Sequence, residues 1–415
     1  MPIIEDELKL LTLGNILEKK LVIPEYQRPY KWKEETILKL LNDIKNNNNK
    51  NEYRIGTLIL HKEKEEYNIV DGQQRLISIS IIINILEKLN AEKRIENSIL
   101  NSNFNEISKN NIIKNYQHIK NYIYEEDKDL LEFIFDNCKM VVIVVDKLEE
   151  AFQLFDSQNS RGKPLEAFDL LKAYHLNEWT KSLSKNDHKI NHIVRKWEKL
   201  IDDNKLGELF DILYRMKKWT IKDKANVKFS KDDIPLFKGI NKKQDYPYIN
   251  RTIVNNYYDI NRPIINGEYF FYMLEYYNDL YDDIIENTLK NANVFNYKGS
   301  NRTGDKYVYS LYKTALLIFI SKFGIKNLTD NIKIKIYIYA YRIRLEKYSI
   351  SYQAINNSIN NYFYYVYNFC YEPNDLLKLD IMNKKVEVDK RRKIDEIIDY
   401  IKNSIPVFYD NQKIK

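Results

Sequence analysis

Along the first 180 residues, the spacing of apolar positions switches repeatedly between short strand-like runs and the three-to-four-residue spacing of helices. Runs rich in β-branched and aromatic residues predict strands at residues 21–23, 53–61, 67–70 and 139–146. Helical spacing predicts helices at residues 4–20, 33–45, 73–89, 149–155 and 165–179, and two more within 104–136. This mixture of strands and helices predicts an N-terminal domain of the α+β class.

From residue 181 onward the pattern predicts helices only. Tyrosine-rich apolar stripes with helical spacing cover residues 268–285, 307–323, 332–347 and 352–369. The chain has 415 residues, more than the roughly 250–300 at which single cores usually stop growing. We therefore predict two domains, an α+β domain at residues 1–180 and an all-α domain at residues 181–415.

Composition narrows the class of protein. Hydrophobic residues make up 44% of the chain and charged residues 30%, as in soluble globular proteins. The longest nearly apolar run, residues 76–86, is shorter than the ~18 residues that a membrane span needs. The start is acidic, unlike a signal peptide, and Cys138 and Cys370 are too few for a disulfide framework or a four-ligand zinc site. We expect a cytoplasmic protein.

Arg, Gly and Pro are rare in this chain, and several of them gather in three short segments, at residues 23–32, 67–76 and 156–164. Only 14 of the 66 basic residues are Arg, and the chain has 10 Gly and 9 Pro. Three arginines of these segments, Arg28, Arg75 and Arg161, each lie within a few residues of a Gly or a Pro. Because lysine is the common cation of this chain, arginine at these places suggests binding of phosphate by its planar fork. The net charge of +7 is modest and leaves DNA or RNA open as a partner.

The central segment, residues 67–76, predicts a strand that turns sharply into a helix at Asp71 and Gly72. The helix is predicted to begin near Gln73, so its first turn offers free backbone N–H groups and the positive end of the helix dipole. Gln73, Gln74 and Arg75 add side-chain donors, and an anion is the expected ligand. The alternative is structural: Asp71 caps the helix and Arg75 pairs with a surface acid.

Two other segments are candidates for the same site. Prolines in residues 23–32 predict an extended path on which Gln27 and Arg28 face a polar site. Alternatively, this segment lies at an edge and packs its aromatic residues on the core. The polar loop at residues 156–164 holds Asn159 and Arg161, and Lys172 follows on the next predicted helix. A plain loop between helices is the alternative there.

Several chemistries are excluded by inspection. The chain lacks a P-loop, the dinucleotide-binding glycine fingerprint and the nucleophile elbow of hydrolases. No histidine follows His192, so residues 193–415 cannot supply the histidine of an HNH-type nuclease. The stretch from Glu387 to Lys390 has the lysine of a restriction-type nuclease core one place out of register.

Together, the three segments resemble the DGQQR-motif domain of the GmrSD type of modification-dependent restriction systems. The similarity covers roughly residues 5–180, and that domain is similar to the ParB and sulfiredoxin nucleotide-binding fold. The resemblance implies nucleotide binding and hydrolysis in defence against phage DNA, in particular modified DNA. Because an HNH-type domain is missing here, it further implies a separate nuclease subunit. A homo-oligomer is left open.

The predicted site therefore combines catalytic and binding residues. Asp71, Gln74 and Arg75 are predicted to be catalytic, with Asp71 holding Mg²⁺ or orienting water beside a nucleoside triphosphate. The predicted nucleotide-binding residues are Gln27, Arg28, Tyr30, Gly72, Gln73, Asn159, Arg161 and Lys172. The main alternative is a non-catalytic ParB-like switch or clamp that binds nucleotide or DNA, which an assay for phosphate release would distinguish.

Overall fold

The computed structural model describes most of the chain, and the described residues fall into two units. They are residues 8–24, 26–89, 99–147, 150–151, 154, 166–180, 188–241, 258–289, 293–295, 297–358, 362–379 and 394–404. The first unit comprises residues 1–165 and 186–195, and the second comprises residues 166–185 and 196–415. The helix at Ala167–Thr180, which the sequence pattern placed in the first domain, lies in the second unit.

A five-stranded mixed sheet forms the centre of the first unit. Its strands are β1 (Leu8–Thr12), β2 (Leu21–Val22), β3 (Tyr53–Glu63), β4 (Glu66–Asp71) and β5 (Cys138–Val145). They lie in the order β1-β5-β3-β4-β2. Pairing is parallel between β3 and β5 and between β2 and β4, and antiparallel between β1 and β5 and between β3 and β4. The strands predicted at residues 53–61, 67–70 and 139–146 are confirmed.

The helix predicted at residues 4–20 is wrong at residues 8–12. Leu8–Thr12 instead forms β1, an antiparallel partner of β5 in which Leu8 lies opposite Ile143. Only Leu13–Leu17 is helical, and the Thr12 side chain accepts a hydrogen bond from the Asn15 N–H at its start. Apolar residues in so short a stretch suit either structure, and the backbone bonding groups of β5 decide in favour of a strand.

Among the described residues of the first unit, five α-helices have bounds that lie wholly within it. They are α1 (Leu13–Leu17), α2 (Glu34–Asn46), α3 (Gln73–Leu89), α4 (Glu106–Lys120) and α5 (Leu130–Asp136). The main core packs these helices on one face of the sheet, whereas Ile59, Val70 and Ile143 belong to a small separate cluster. Nearly every residue of α3 between Leu76 and Leu86 is buried. A helix that is apolar all round lies inside the protein, so α3 is a fixed support for the turn before it.

In the second unit, the described residues form helices joined by loops, with one isolated bridge between Ile240 and Ile265. The helices are α6 (Ala167–Thr180), α7 (His188–Asp202), α8 (Lys205–Thr220), α9 (Glu268–Ile284), α10 (Thr303–Phe323), α11 (Asp330–Glu346), α12 (Tyr352–Ser358), α13 (Tyr362–Asn368) and α14 (Asp395–Ser404). Helix α7 crosses the division between the units at residue 195. The predicted α+β class, with an all-helical second part, is confirmed. None of the described helices combines the length and the apolar character needed to cross a membrane.

Candidate anion site at the start of helix α3

The turn between β4 and α3 depends on Gly72. Strand β4 ends at Asp71, Gly72 has a φ of +92°, and α3 begins at Gln73, as predicted. A Cβ on Gly72 would lie 3.1 Å from the Thr57 carbonyl oxygen, so the φ and the close approach both require glycine. The Leu76 N–H makes the first helical bond, to the Gly72 carbonyl. The N–H groups of residues 73–75 are therefore not used by the helix ladder.

The guanidinium of Arg75 lies against the backbone of Gly56, at a bulge in β3. The pairing of β3 with β5 shifts register between Arg54 and Gly56, and Gly56 has a φ of +148°. A Cβ on Gly56 would clash with Nη1 of Arg75, so a side chain at this position would displace the guanidinium. Glycine within the predicted strand at residues 53–61 indicated a bulge or a close backbone approach at Gly56, and the structure has the bulge. Arg75 is half-buried, and its side chain makes no hydrogen bond or ion pair with any residue that the structure describes.

Asp71 and Tyr53 provide the electrostatic surroundings of Arg75. Burial raises the pKa of Asp71, while the Gly72 N–H and the Arg75 charge oppose part of that rise. Burial also raises the pKa of Tyr53, and the Arg75 charge again acts in the opposite direction. Asp71 and Tyr53 thus both lie close enough to interact with the guanidinium. Tyr53 was not among the residues predicted for the site, and its position at the start of β3, just before the bulge, is the signal that could have identified it.

Two glutamines attach the segment at residues 26–32, which follows a turn closed by the Gln27 N–H and the Pro24 carbonyl, to the β4–α3 turn. Gln27 Nε2 donates hydrogen bonds to the carbonyl oxygens of Ile69, at 2.8 Å, and Val70, at 2.9 Å. Gln74 Nε2 donates to the Pro29 carbonyl at 3.1 Å, and Gln74 Oε1 accepts from the residue 31 N–H at 2.9 Å. Both carboxamides are thereby occupied by backbone groups. Arg28 lies between the two attachment points and is half-buried.

Tyr30 has a packing role. Its side chain is fully buried, and its hydroxyl lies 2.8 Å from Ser78 Oγ and accepts a hydrogen bond from Asn115 Nδ2 at 3.0 Å. Its backbone N–H and carbonyl bond to side chains of α4, namely Ser108 and Asn111. Tyr30 therefore fits the alternative in which this segment packs its aromatic residues on the core, and we leave Tyr30 out of the candidate site.

Gln73 is buried too, with 5% of its surface exposed, but its side chain has no hydrogen bond to the described residues.

The third predicted segment cannot be joined to this site. Asn159 and Arg161 lie outside the described residues. Lys172 lies on α6 in the second unit, where its Nζ is 3.0 Å from Glu198 Oε1 and the two side chains are 2% and 4% exposed. The charge of Lys172 is thus balanced by a buried carboxylate. Its predicted contact with a nucleotide would require this pair to open.

The carboxylate of Asp71 does not belong to a preformed cluster of metal ligands. Within the described part of the chain, no group of three or more His, Cys, Asp or Glu side chains could hold a metal. Mg²⁺ is commonly bound by one or two carboxylates together with substrate phosphates, so Asp71 alone fits a Mg²⁺ that arrives with a nucleotide. A metal site built from protein ligands alone is not expected here.

Two families of related proteins match the chain. Residues 10–176 match the GmrSD restriction endonuclease, N-terminal domain, which includes the β4–α3 turn. Residues 189–396, about half of the chain, match a family of unknown function, DUF7834. The search of curated proteins finds no match. The chain therefore belongs to the DUF7834 family, and its N-terminal part matches the N-terminal domain of the GmrSD restriction endonucleases.

Proposed function

We propose that the start of α3 binds the phosphates of a nucleoside triphosphate and that the chain hydrolyses it during defence against foreign or modified DNA. The observation that carries this proposal is that the guanidinium of Arg75 is half-buried and makes no hydrogen bond or ion pair with the described residues. It lies at a helix start whose first three N–H groups are not used by the helix. Free donors and a positive helix end together suit a multiply charged anion.

Each residue of the candidate site has a separate task in this proposal. Arg75 and Arg28 bind the phosphates, with the N–H groups of the first turn and the Gln73 side chain. Asp71 orients the attacking water or accepts its proton, and it contributes an oxygen ligand to Mg²⁺. When bound, Mg²⁺ would neutralise part of the phosphate charge. Gln74 and Gln27 are positioning residues, because their carboxamides hold the segment that carries Arg28.

The Asp71→Asn variant tests hydrolysis. We expect the variant to bind nucleotide but to release phosphate at least tenfold more slowly, because the amide can accept the Gly72 N–H but is a poor base and metal ligand. The measurement is phosphate release from each nucleoside triphosphate with Mg²⁺, with and without phage DNA. Asp129→Asn, at an exposed position before α5, is the control. Wild-type turnover by Asp71→Asn would leave Asp71 with a capping role only.

Stability provides a check on the same variant. Burial raises the pKa of Asp71 above its usual value of 3.8, so the charged carboxylate costs stability at neutral pH. Asp71→Asn should therefore be at least as stable as the wild type at pH 7. As the pH falls through the folded-state pKa, the wild-type carboxyl is protonated and this difference should shrink. Lost turnover in a fully stable variant would separate chemistry from folding.

A second prediction concerns the effector. We propose that the helical second unit senses DNA or a partner and that a separate HNH-type nuclease cuts the DNA. The support is chemical: no histidine occurs in residues 193–415, and HNH catalysis needs histidine to activate water. Purified chain incubated with phage or plasmid DNA, nucleotide and Mg²⁺ or Mn²⁺ should leave the DNA intact. Specific cleavage that Glu387→Ala or Asp389→Ala abolishes would overturn this view.

The alternative is a non-catalytic switch that binds nucleotide without hydrolysing it. In that case Arg75 would bind phosphate as above and Asp71 would only stabilise the turn. The phosphate assay separates the two, because a switch binds nucleotide at the same site and releases no phosphate above the rate without protein.

A further inference from the structure

A group of exposed apolar side chains lies at the ends of helices α8 and α13 in the second unit. We define the Lys222 patch by five residues: Ile221, Lys222, Tyr364, Phe369 and Tyr371. Ile221 is 63% exposed, Phe369 is 51% exposed and Tyr371 is 83% exposed. Single exposed apolar residues are ordinary, but several large ones close together mark a binding surface.

A lysine and two aromatic rings of this patch are in direct contact. The Lys222 Nζ lies 4.1 Å from the centroid of the Tyr364 ring, a cation–π distance. The Phe369 ring lies 5.6 Å from the same Tyr364 ring, centroid to centroid. Lys222 makes no ion pair with any residue in the described ranges. Its charge is therefore available to an anion beside exposed rings.

Lys222 occupies a backbone position that favours glycine. Helix α8 ends at Thr220, and its last carbonyls are bonded by the Lys222 N–H, to Trp219, and by the Asp223 N–H, to Lys218. This is a Schellman motif, whose left-handed residue is usually glycine. Lys222 adopts it with a φ of +62°. A side chain at this position costs stability, so the ending of the helix does not explain why the residue is lysine.

We propose that the Lys222 patch binds single-stranded nucleic acid, with bases stacking on Phe369 and Tyr371 and a backbone phosphate contacting Lys222. Exposed aromatic rings beside cations are the recurring surface for single strands. A protein partner is the weaker choice, because lysine is depleted from the cores of protein interfaces. This proposal rests on the proposed role of the second unit in sensing DNA, and it adds that the bound form is single-stranded and that it binds at the Lys222 patch.

The test uses the full-length chain and a fluorescein-labelled oligo(dT) of about 15 nucleotides, a length that spans known single-strand sites. Anisotropy should show binding to the single strand and weaker binding to a duplex of the same length. Tyr371→Ala should weaken binding about fivefold or more. Lys222→Gly should also weaken it and lower the slope of log affinity against log salt by about 0.7, the value for one phosphate contact. The same Lys222→Gly variant should be as stable as the wild type or more so.

Controls separate this surface from exposed aromatics in general and from the nucleotide site. Tyr348 is 66% exposed and is not one of the patch residues, and Tyr348→Ala should bind oligo(dT) like the wild type. Arg75→Ala should also keep oligo(dT) binding, so failure of the nucleotide site would not be mistaken for failure of the patch. Wild-type protein that does not bind oligo(dT), or patch variants that bind it unchanged, would overturn the proposal. So would a patch that binds only a protein partner.

Discussion

Arg75→Ala is expected to weaken nucleoside triphosphate binding by about 1.5–3 kcal/mol, roughly ten- to 150-fold in affinity. The reason is that the guanidinium is the one charged donor seen at the start of α3 whose hydrogen-bonding capacity is not used by described residues. Equilibrium binding of a fluorescent nucleotide, or calorimetry, measures the change. Arg75→Lys should recover only part of the affinity, because an ammonium cannot make the paired bonds of a guanidinium.

The control for Arg75 is Arg54, which flanks the same β-bulge in β3. The Arg54 side chain is 67% exposed, and its Nε is 3.0 Å from Glu52 Oε1. Exposed pairs of this kind contribute little, so Arg54→Ala should bind nucleotide like the wild type. If folded Arg75→Ala protein binds nucleotide as tightly as the Arg54→Ala control, the phosphate site lies elsewhere.

The second large effect concerns folding. Asp305→Ala should lower the free energy of unfolding by about 3–5 kcal/mol, because it leaves a buried charge without its partner. Asp305 is fully buried in the first turn of α10, and its Oδ2 lies 2.8 Å from Nη2 of Arg344, whose side chain is 2% exposed. Tyr297 also donates its hydroxyl proton to this carboxylate. Denaturant unfolding followed by circular dichroism is the measurement.

The matched control for Asp305 is another acid in the first turn of a helix. Asp330 begins α11 and pairs with Lys333 at 3.2 Å, but its side chain is 90% exposed. Asp330→Ala should cost no more than about 0.5 kcal/mol. Equal losses for the two variants would show that the Arg344 pair contributes little and that a general effect of helix ends explains the result.

The parts of the fold that were predicted correctly are those decided by nearby residues. The start of α3 at Gln73 follows from a β-branched run, two turn residues and an apolar stripe, all within about a dozen positions. A bulge or a close backbone approach at Gly56 was expected because glycine inside a strand usually marks one of the two, and the bulge is present. In the same way, the run at residues 139–146 has the length and the β-branched residues of a buried strand.

The parts that were missed depend on distant partners. The Gln27 side chain bonds to carbonyls 42 and 43 residues away, and the Tyr30 hydroxyl meets Asn115 across 85 residues. The neighbouring sequence does not indicate whether such a side chain contacts a ligand or another part of the protein. The strand at Leu8–Thr12 is a similar case, because its partner β5 lies about 130 residues along the chain.

The attachment of residues 26–32 by two glutamines affects how the DGQQR motif can be used as a marker. Both the oxygen and the nitrogen of the Gln74 carboxamide are bonded to backbone groups, so this residue of the motif has a structural role. Asp71 and Arg75 carry the charges, and neither is needed for that attachment. A related chain could therefore keep the equivalents of Gln27 and Gln74 and fold in the same way without an equivalent of Asp71 or Arg75. If Asp71 and Arg75 act as we propose, the activity of such chains is better judged from these two residues than from the motif as a whole.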